Sequence, residues 1–178
     1  MKNQINENGP GEPETYEESE RVRTLISLLS EKDGMKRQGA REALVAIGEH
    51  AVEPLKGILG GRTNPARWEA AKALAEIGSE SSTNLLVSSL EDDDSDIAWL
   101  AAEGLISIGV PSLGPLMQRL LANPDSHRLR DGAHHVLHDL RNAKIHATVK
   151  PLIKSFLSKC SSEEVELAAN QVLRMVNG

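Results

Sequence analysis

Apolar residues recur along this chain with the spacing of one face of an α-helix, and the same short motif returns several times. In its first copy, Ala40, Ala43, Leu44 and Ile47 are followed by Gly48. Positions i, i+3, i+4 and i+7 lie on one side of a helix. The motif leucine recurs at positions 74, 105, 137 and 173, so the period is 30 to 36 residues. A repeat of that length predicts a solenoid, in which each unit buries its apolar stripe by stacking on its neighbours.

The ends of the predicted first helices carry capping residues. Seven residues before each motif alanine stands a good N-cap side chain, namely Asp33, Thr63, Asp94, Ser126 and Ser162. Glycines that allow a left-handed turn at a helix end follow the last apolar position at Gly48, Gly78 and Gly109. We predict a second helix after each of the first four, and in three of them a proline marks the first turn, namely Pro54, Pro115 and Pro151.

Together these elements predict an all-α fold. We expect a right-handed α-solenoid (superhelix) of about five stacked antiparallel helix pairs, with an extra N-terminal capping helix near residues 16–31. No period-2 alternation supports a strand. Residues 1–14 combine acidic side chains with glycine and proline, and we predict that they form a disordered acidic tail. Residues 15–178 are then one repeat domain.

The motif resembles HEAT-like repeats of the phycobilisome-lyase type. Its first copy contains the family positions Asp33, Arg37, Ala40, Ala43, Leu44, Ile47, Gly48, Pro54 and Leu55. The arginine returns as Arg67 and Arg130, but the third copy has Ala98 and the fifth Glu166. Ankyrin and tetratricopeptide repeats have similar periods, yet the chain has neither a Thr-Pro-Leu-His turn nor the aromatic residues of a tetratricopeptide array.

This resemblance covers residues 15–177 and implies a scaffold or assembly factor. A minority of such proteins attach bilins, so a lyase-like or cofactor-chaperone subunit is the first alternative. A related group binds two irons through His-Glu pairs, and this chain has no His-Glu dipeptide. We therefore predict a non-enzymatic protein with no catalytic residue and no cofactor.

Charge and composition narrow the classes of partner. The net charge is −6, and residues 1–20 alone carry −5, from six glutamates against Lys2. A repeat domain near −1 does not favour generic nucleic-acid binding, which needs a strongly basic face. Cys160 is the single cysteine, so no intramolecular disulfide can form. No apolar run approaches a membrane span, and the N-terminus is polar. We expect a cytoplasmic protein with no membrane partner.

Trp68 and Trp99 occupy the same repeat position, two residues before the motif alanine. We predict that they lie on adjacent first helices and face outward. Ala71, Ala75, Ala102 and Ile106 would extend them into an apolar ridge on the convex surface. Exposed apolar patches that contain Trp often mark interfaces, so Trp68, Trp99 and Ile106 are candidate contacts for a protein partner or a homodimer. The alternative is that the two rings seal the repeat junctions.

Three further groups of charged or polar residues are candidates. Residues 119–160 hold eight basic side chains against three acidic ones, and Lys150 and Lys154 would form a basic patch on the concave surface. That patch would bind an acidic peptide, nucleic acid or the acidic tail, or it is an ordinary solvated face. His134 and His138 have the i, i+4 spacing that can chelate a metal, but no third ligand is evident and surface histidines explain them. The acidic run at residues 91–96 caps a helix or attracts a basic partner.

We predict that the chain is a protein–protein interaction scaffold. Nucleic-acid binding through the basic fourth repeat is the second alternative to this function.

Overall fold

The computed structural model describes residues 16–140, 143–157 and 161–177. The predicted tail at residues 1–14 and Cys160 lie outside the described residues. The described residues form ten α-helices: α1 (Tyr16–Leu28), α2 (Gly34–Ile47), α3 (Val52–Leu59), α4 (Asn64–Ile77), α5 (Thr83–Ser89), α6 (Ser95–Ile108), α7 (Leu113–Ala122), α8 (His127–Asp139), α9 (Ala143–Leu157) and α10 (Ser162–Asn177). Short 3-10 turns at Gly48–Ala51, Glu80–Ser82 and Val110–Ser112 connect the helices of the first three pairs.

The helices stack as an α-solenoid, as the repeat predicted. The first helices α2, α4, α6 and α8 pack in series, and α5 packs against α7 on the second-helix side. Helix α1 packs on α2 and α3 and caps the N-terminal end. Helix α10 carries the fifth copy of the motif and packs against α7 and α9. The described chain is therefore four helix pairs with one helix closing each end.

The motif residues form the core. The motif leucines Leu44, Leu74, Leu105 and Leu137 are fully buried, as are the small motif residues Ala70, Ala101, Ala133 and Ala169. In α10, Ala169 and Val172 are fully buried, but the motif leucine Leu173 is only partly buried. Among the described helices, none combines the length and the hydropathy that a membrane span requires.

Side-chain caps begin most of the first helices as predicted. Carboxylates of Asp33 and Asp94 accept from backbone N–H groups two residues on, at 2.9 and 3.0 Å, and Ser126 accepts from the Leu129 N–H at 3.3 Å. Thr63 is at the N-cap position, but its side chain makes no capping hydrogen bond. The Ser162 cap was wrong by one residue. Ser161 and the side chain of Glu164 close a reciprocal capping box there, in which each satisfies a free N–H.

The turns after the first three first helices use the predicted glycines. Gly48, Gly78 and Gly109 have φ angles of 73°, 61° and 80°, which a side chain would strain. The fourth pair lacks such a glycine, and α8 ends in extended backbone at Leu140. Helix α9 then begins at Ala143, so Pro151 lies inside it rather than in its first turn. The prediction that Pro151 starts a second helix was wrong.

Candidate binding surfaces at the repeat junctions

Two repeat positions meet wherever one first helix packs on the next. One is the residue just after the motif alanine, and the other is the residue just before it on the following helix. In chain order the three junctions contain Arg41 with Glu69, Ala71 with Leu100, and Ala102 with Gly132. The same two positions thus change from charged to apolar to small along the solenoid. The three junctions consequently differ in what they leave at the surface.

The α2–α4 junction is closed by buried charges. Arg41 donates from Nε to Glu69 Oε2 at 3.0 Å and from Nη1 to Glu76 Oε2 at 2.6 Å. Arg41 and Glu69 are both buried. Buried ions are tolerated when they are paired and hydrogen-bonded. This junction is therefore occupied by the protein's own side chains.

The α4–α6 junction is closed by apolar side chains. Ala71, Ile97 and Leu100 form a small buried cluster, and Trp68 packs against it half-buried. The Lys72 ammonium lies 5.2 Å from the centroid of the Trp68 ring, a cation–π contact. Trp68 is accordingly a sealing residue of this junction.

The α6–α8 junction is open. A cavity of about 300 Å³ lies between the two helices, and Ala102 and Gly132 form part of its wall. Its lining consists of Leu90, Asp92, Asp93, Ser95, Ala98, Trp99, Ala102, Arg128, Asp131, Gly132 and His135. We call this the α6–α8 cleft. Trp99 lies in the wall of this cleft, and its side chain is 55% exposed to solvent.

The predicted continuous apolar ridge is wrong in part. Ala71 and Ala102, which were expected to face outward, are buried between first helices. Ile106 is only partly buried and packs against the main core. The surface therefore presents Trp99 beside a cleft rather than two Trp rings on a ridge. A binding role for Trp68, Trp99 and Ile106 stays a prediction.

Carboxylates surround the cleft, and two of them already have partners. Asp92 pairs with Arg67 and Asp93 with Arg128. The hydrogen bond from Arg128, followed by its charge, lowers the pKa of the Asp93 carboxyl from its ordinary value. Asp131 is exposed and makes no hydrogen bond or ion pair with any described residue. On the opposite helix, Glu103 Oε1 lies 2.9 Å from His135 Nε2.

Glu91, at the start of the acidic run, connects three elements. It accepts from Arg119 Nε in α7 at 2.8 Å and from the Ser126 hydroxyl, the cap of α8, at 2.7 Å. Burial alone would raise the pKa of this carboxyl, but these two hydrogen bonds outweigh it and the pKa is lowered. With Asp94 capping α6, much of the acidic run is accounted for by structural contacts.

The repeat arginine has a structural task that the sequence did not reveal. Arg37 Nη1 donates to the carbonyl of Glu31 at 2.9 Å, and Arg67 Nε to that of Leu59 at 3.1 Å. Arg130 Nε donates likewise to the carbonyl of Pro124. Each guanidinium thus fixes the chain just before its own helix. The third copy has Ala98 at this position, and Ala98 lines the α6–α8 cleft. The sequence already showed this departure from the repeat at Ala98.

The other predicted sites are not brought together with this cleft. Lys150 and Lys154 are both exposed on α9. The concave basic patch stays a prediction. The rings of His134 and His138 stack with centroids 5.9 Å apart, and His138 Nδ1 lies 2.8 Å from Asp139. Within the described residues, no three His, Cys, Asp or Glu side chains converge to hold a metal ion.

Comparison with known proteins supports the repeat assignment. Residues 52–138 match the family model of HEAT repeats, and this range includes the α6–α8 cleft. The resemblance to HEAT-like repeats is confirmed over these residues. HEAT repeats generally mediate protein–protein interaction, and their family is typically non-enzymatic.

The crystal structure of an engineered protein is similar, with 20% sequence identity, 87% of this chain and 78% of that chain covered, and a TM-score of 0.41. No curated protein matches the sequence.

Proposed function

We propose that the protein is a non-enzymatic interaction scaffold whose partner protein docks over the open α6–α8 junction. The observation that carries the proposal is the exposure of Trp99 beside a cavity, in a chain with only two Trp residues. Trp is the residue type most enriched among the energetically dominant residues of interfaces. Its exposure in an otherwise closed series of junctions favours a binding role over a structural one.

Two features support a docking role for this part of the molecule. The junction is built from packed helices, so its shape is preformed and binding requires little rearrangement. The cavity, of about 300 Å³, is large enough to receive a side chain. A concave apolar site with a few polar groups is the usual form of a binding pocket.

The test is affinity purification of the tagged chain from its native host with quantitative mass spectrometry. Trp99→Ala is the test variant. Leu167→Ala is the matched control, because Leu167 is 65% exposed on α10 and occupies the same repeat position as Trp99. The proposal predicts a stoichiometric protein that the wild type and Leu167→Ala retain and Trp99→Ala loses. It is contradicted if no partner depends on Trp99.

A second measurement separates a foreign partner from a second copy of the chain. Light scattering of the purified protein gives its mass with and without the Trp99→Ala change. A dimer that Trp99→Ala converts to monomer would make the interface a homodimer rather than a scaffold surface.

A further inference from the structure

We infer that the α6–α8 cleft is a receptor for an arginine side chain presented by the partner protein. This inference rests on the proposed function and specifies the chemistry of its contact. It comes from a comparison of the repeats within the chain and from the charge of the cleft.

The third repeat lacks the guanidinium that the first, second and fourth repeats have at the same position. Arg37, Arg67 and Arg130 each place one at the same repeat position, where it donates to carbonyl oxygens. The third repeat has the methyl group of Ala98 there, and Ala98 forms part of the cleft wall. Arg128, from the next repeat, donates hydrogen bonds to the Glu91 carbonyl, at 3.5 Å, and to the Asp93 carboxylate. The cleft thus adjoins a position that the fold elsewhere fills with arginine.

The charge of the lining favours a cation. Of the three carboxylates in the lining, Asp92 and Asp93 are paired with Arg67 and Arg128, and Asp131 adds one unpaired negative charge. Asp131 has no partner among the described residues, so its carboxylate is available to a ligand. The Asp131 carboxylate would repel an anionic partner, and a wholly apolar partner would leave it unpaired.

Arginine suits the cleft better than lysine because its cation is planar. A guanidinium can stack on the face of an indole and at the same time donate two parallel hydrogen bonds to a carboxylate. Trp99 supplies the exposed ring and Asp131 the unpaired carboxylate on the neighbouring helix. A lysine ammonium group could pair with the Asp131 carboxylate, but it is not planar and cannot stack on the Trp99 indole.

The direct test is titration of the ¹⁵N-labelled full chain with a short capped peptide, acetyl-glycyl-arginyl-glycine amide. The chain has two Trp residues, so two indole N–H signals appear, and Trp68→Phe assigns them. We expect the Trp99 signal to move and the Trp68 signal to stay. The matched peptide has citrulline in place of arginine, which keeps the shape and removes the charge. Equal shifts with the citrulline peptide would overturn the inference.

Three variants locate the contact. Ala98→Arg restores the repeat arginine, which the fold accommodates in three other repeats, and should abolish the peptide-induced shift. Asp131→Asn should weaken binding about tenfold, since it removes a charge-assisted hydrogen bond. Glu163→Gln, an exposed acid on α10, should leave the affinity unchanged. Unaltered binding by Ala98→Arg would show that the arginine binds elsewhere.

The inference and the proposed function fail separately in these experiments. A partner that Trp99→Ala loses but Ala98→Arg retains would refute the arginine contact and leave the scaffold function standing. If no partner depends on Trp99, the scaffold proposal fails, and peptide binding alone would not restore it.

Discussion

Gly104 is the position where the stacking of this solenoid is most sharply testable. It stands in α6 at the small motif position that Ala43 and Ala73 occupy in earlier repeats, and it is buried. A Cβ atom built there would lie 2.9 Å from the Ala75 Cα, 2.9 Å from the Ala75 Cβ and 2.9 Å from a methyl of Leu86. The Cα belongs to the backbone of α4 and cannot rotate away. Gly104→Ala should therefore push α4 and α6 apart.

Two opposing terms set the magnitude. Alanine is a better helix former than glycine by about 1 kcal/mol. Carbon atoms at optimal contact are separated by roughly 3.5–4.0 Å, so each new contact is too short by more than half an ångström. Overpacking of a well-packed core costs about 1–3 kcal/mol. The helix propensity thus offsets only part of the steric cost, and we expect a net loss of stability.

A second glycine isolates the steric term. Gly39 is exposed in the middle of α2, and a Cβ built there meets nothing within 4 Å. Gly39→Ala gains helix propensity without a clash, so the two variants differ in stability by the packing cost, about 1–3 kcal/mol. For a chain of this length, about 1 kcal/mol corresponds to a shift of roughly 2–4 °C in Tm.

The assay is thermal and urea unfolding followed by circular dichroism at 222 nm for the wild type and both variants. We expect Gly39→Ala to unfold above the wild type and Gly104→Ala below it. If Gly104→Ala were as stable as Gly39→Ala, α4 and α6 would not approach as closely as described, and the reasoning would be refuted.

Two further predictions concern the charged contacts between repeats. Arg41→Ala leaves the Glu69 carboxylate buried without its main partner, so the free energy of unfolding, measured by urea titration, should fall by about 3–5 kcal/mol. The control is Lys56→Ala, which breaks the exposed pair with Glu53 and should lower that free energy by at most about 1 kcal/mol. Equal losses in the two variants would contradict the buried network. The pKa of Glu91 is lowered below its ordinary 4.5, so this carboxylate stabilises the fold above pH 4.5 and the contribution is lost as the pH falls through the lowered pKa. The urea midpoint of Glu91→Gln should consequently fall less steeply on acidification than that of the wild type. If the two midpoints fall equally steeply, the hydrogen bonds to this carboxylate do not stabilise the fold.

The fold could be predicted from the sequence because its information is local and repeated. Apolar spacing, capping side chains and terminal glycines agree in copy after copy, and each has a direct physical cause. The prediction failed where the fourth repeat breaks the pattern. The fourth repeat has no turn glycine after α8, so α9 begins early, at Ala143, and Pro151 lies inside that helix.

The site was only half predictable. A helical wheel with a single buried face placed Ala71 and Ala102 outside, but a first helix of a solenoid packs on both of its neighbours as well as on the second-helix layer. The buried arc is therefore wider than one stripe. Trp68 and Trp99 occupy equivalent positions, yet Trp68 packs against a cluster that contains Leu100, whereas Trp99 lies exposed beside a cleft whose wall contains Gly132. That difference is visible in the sequence only when the departures from the repeat are compared across a junction.

The α4–α6 junction is sealed by Trp68 and its neighbours, whereas Trp99 lies exposed at the α6–α8 cleft. Acrylamide quenching of Trp fluorescence tests it most directly, with Trp68→Phe reporting on Trp99 and Trp99→Phe reporting on Trp68. We expect strong quenching of Trp99 and weaker quenching of Trp68, whose ring packs against the cluster of Ala71, Ile97 and Leu100. Equal quenching of the two rings would contradict it.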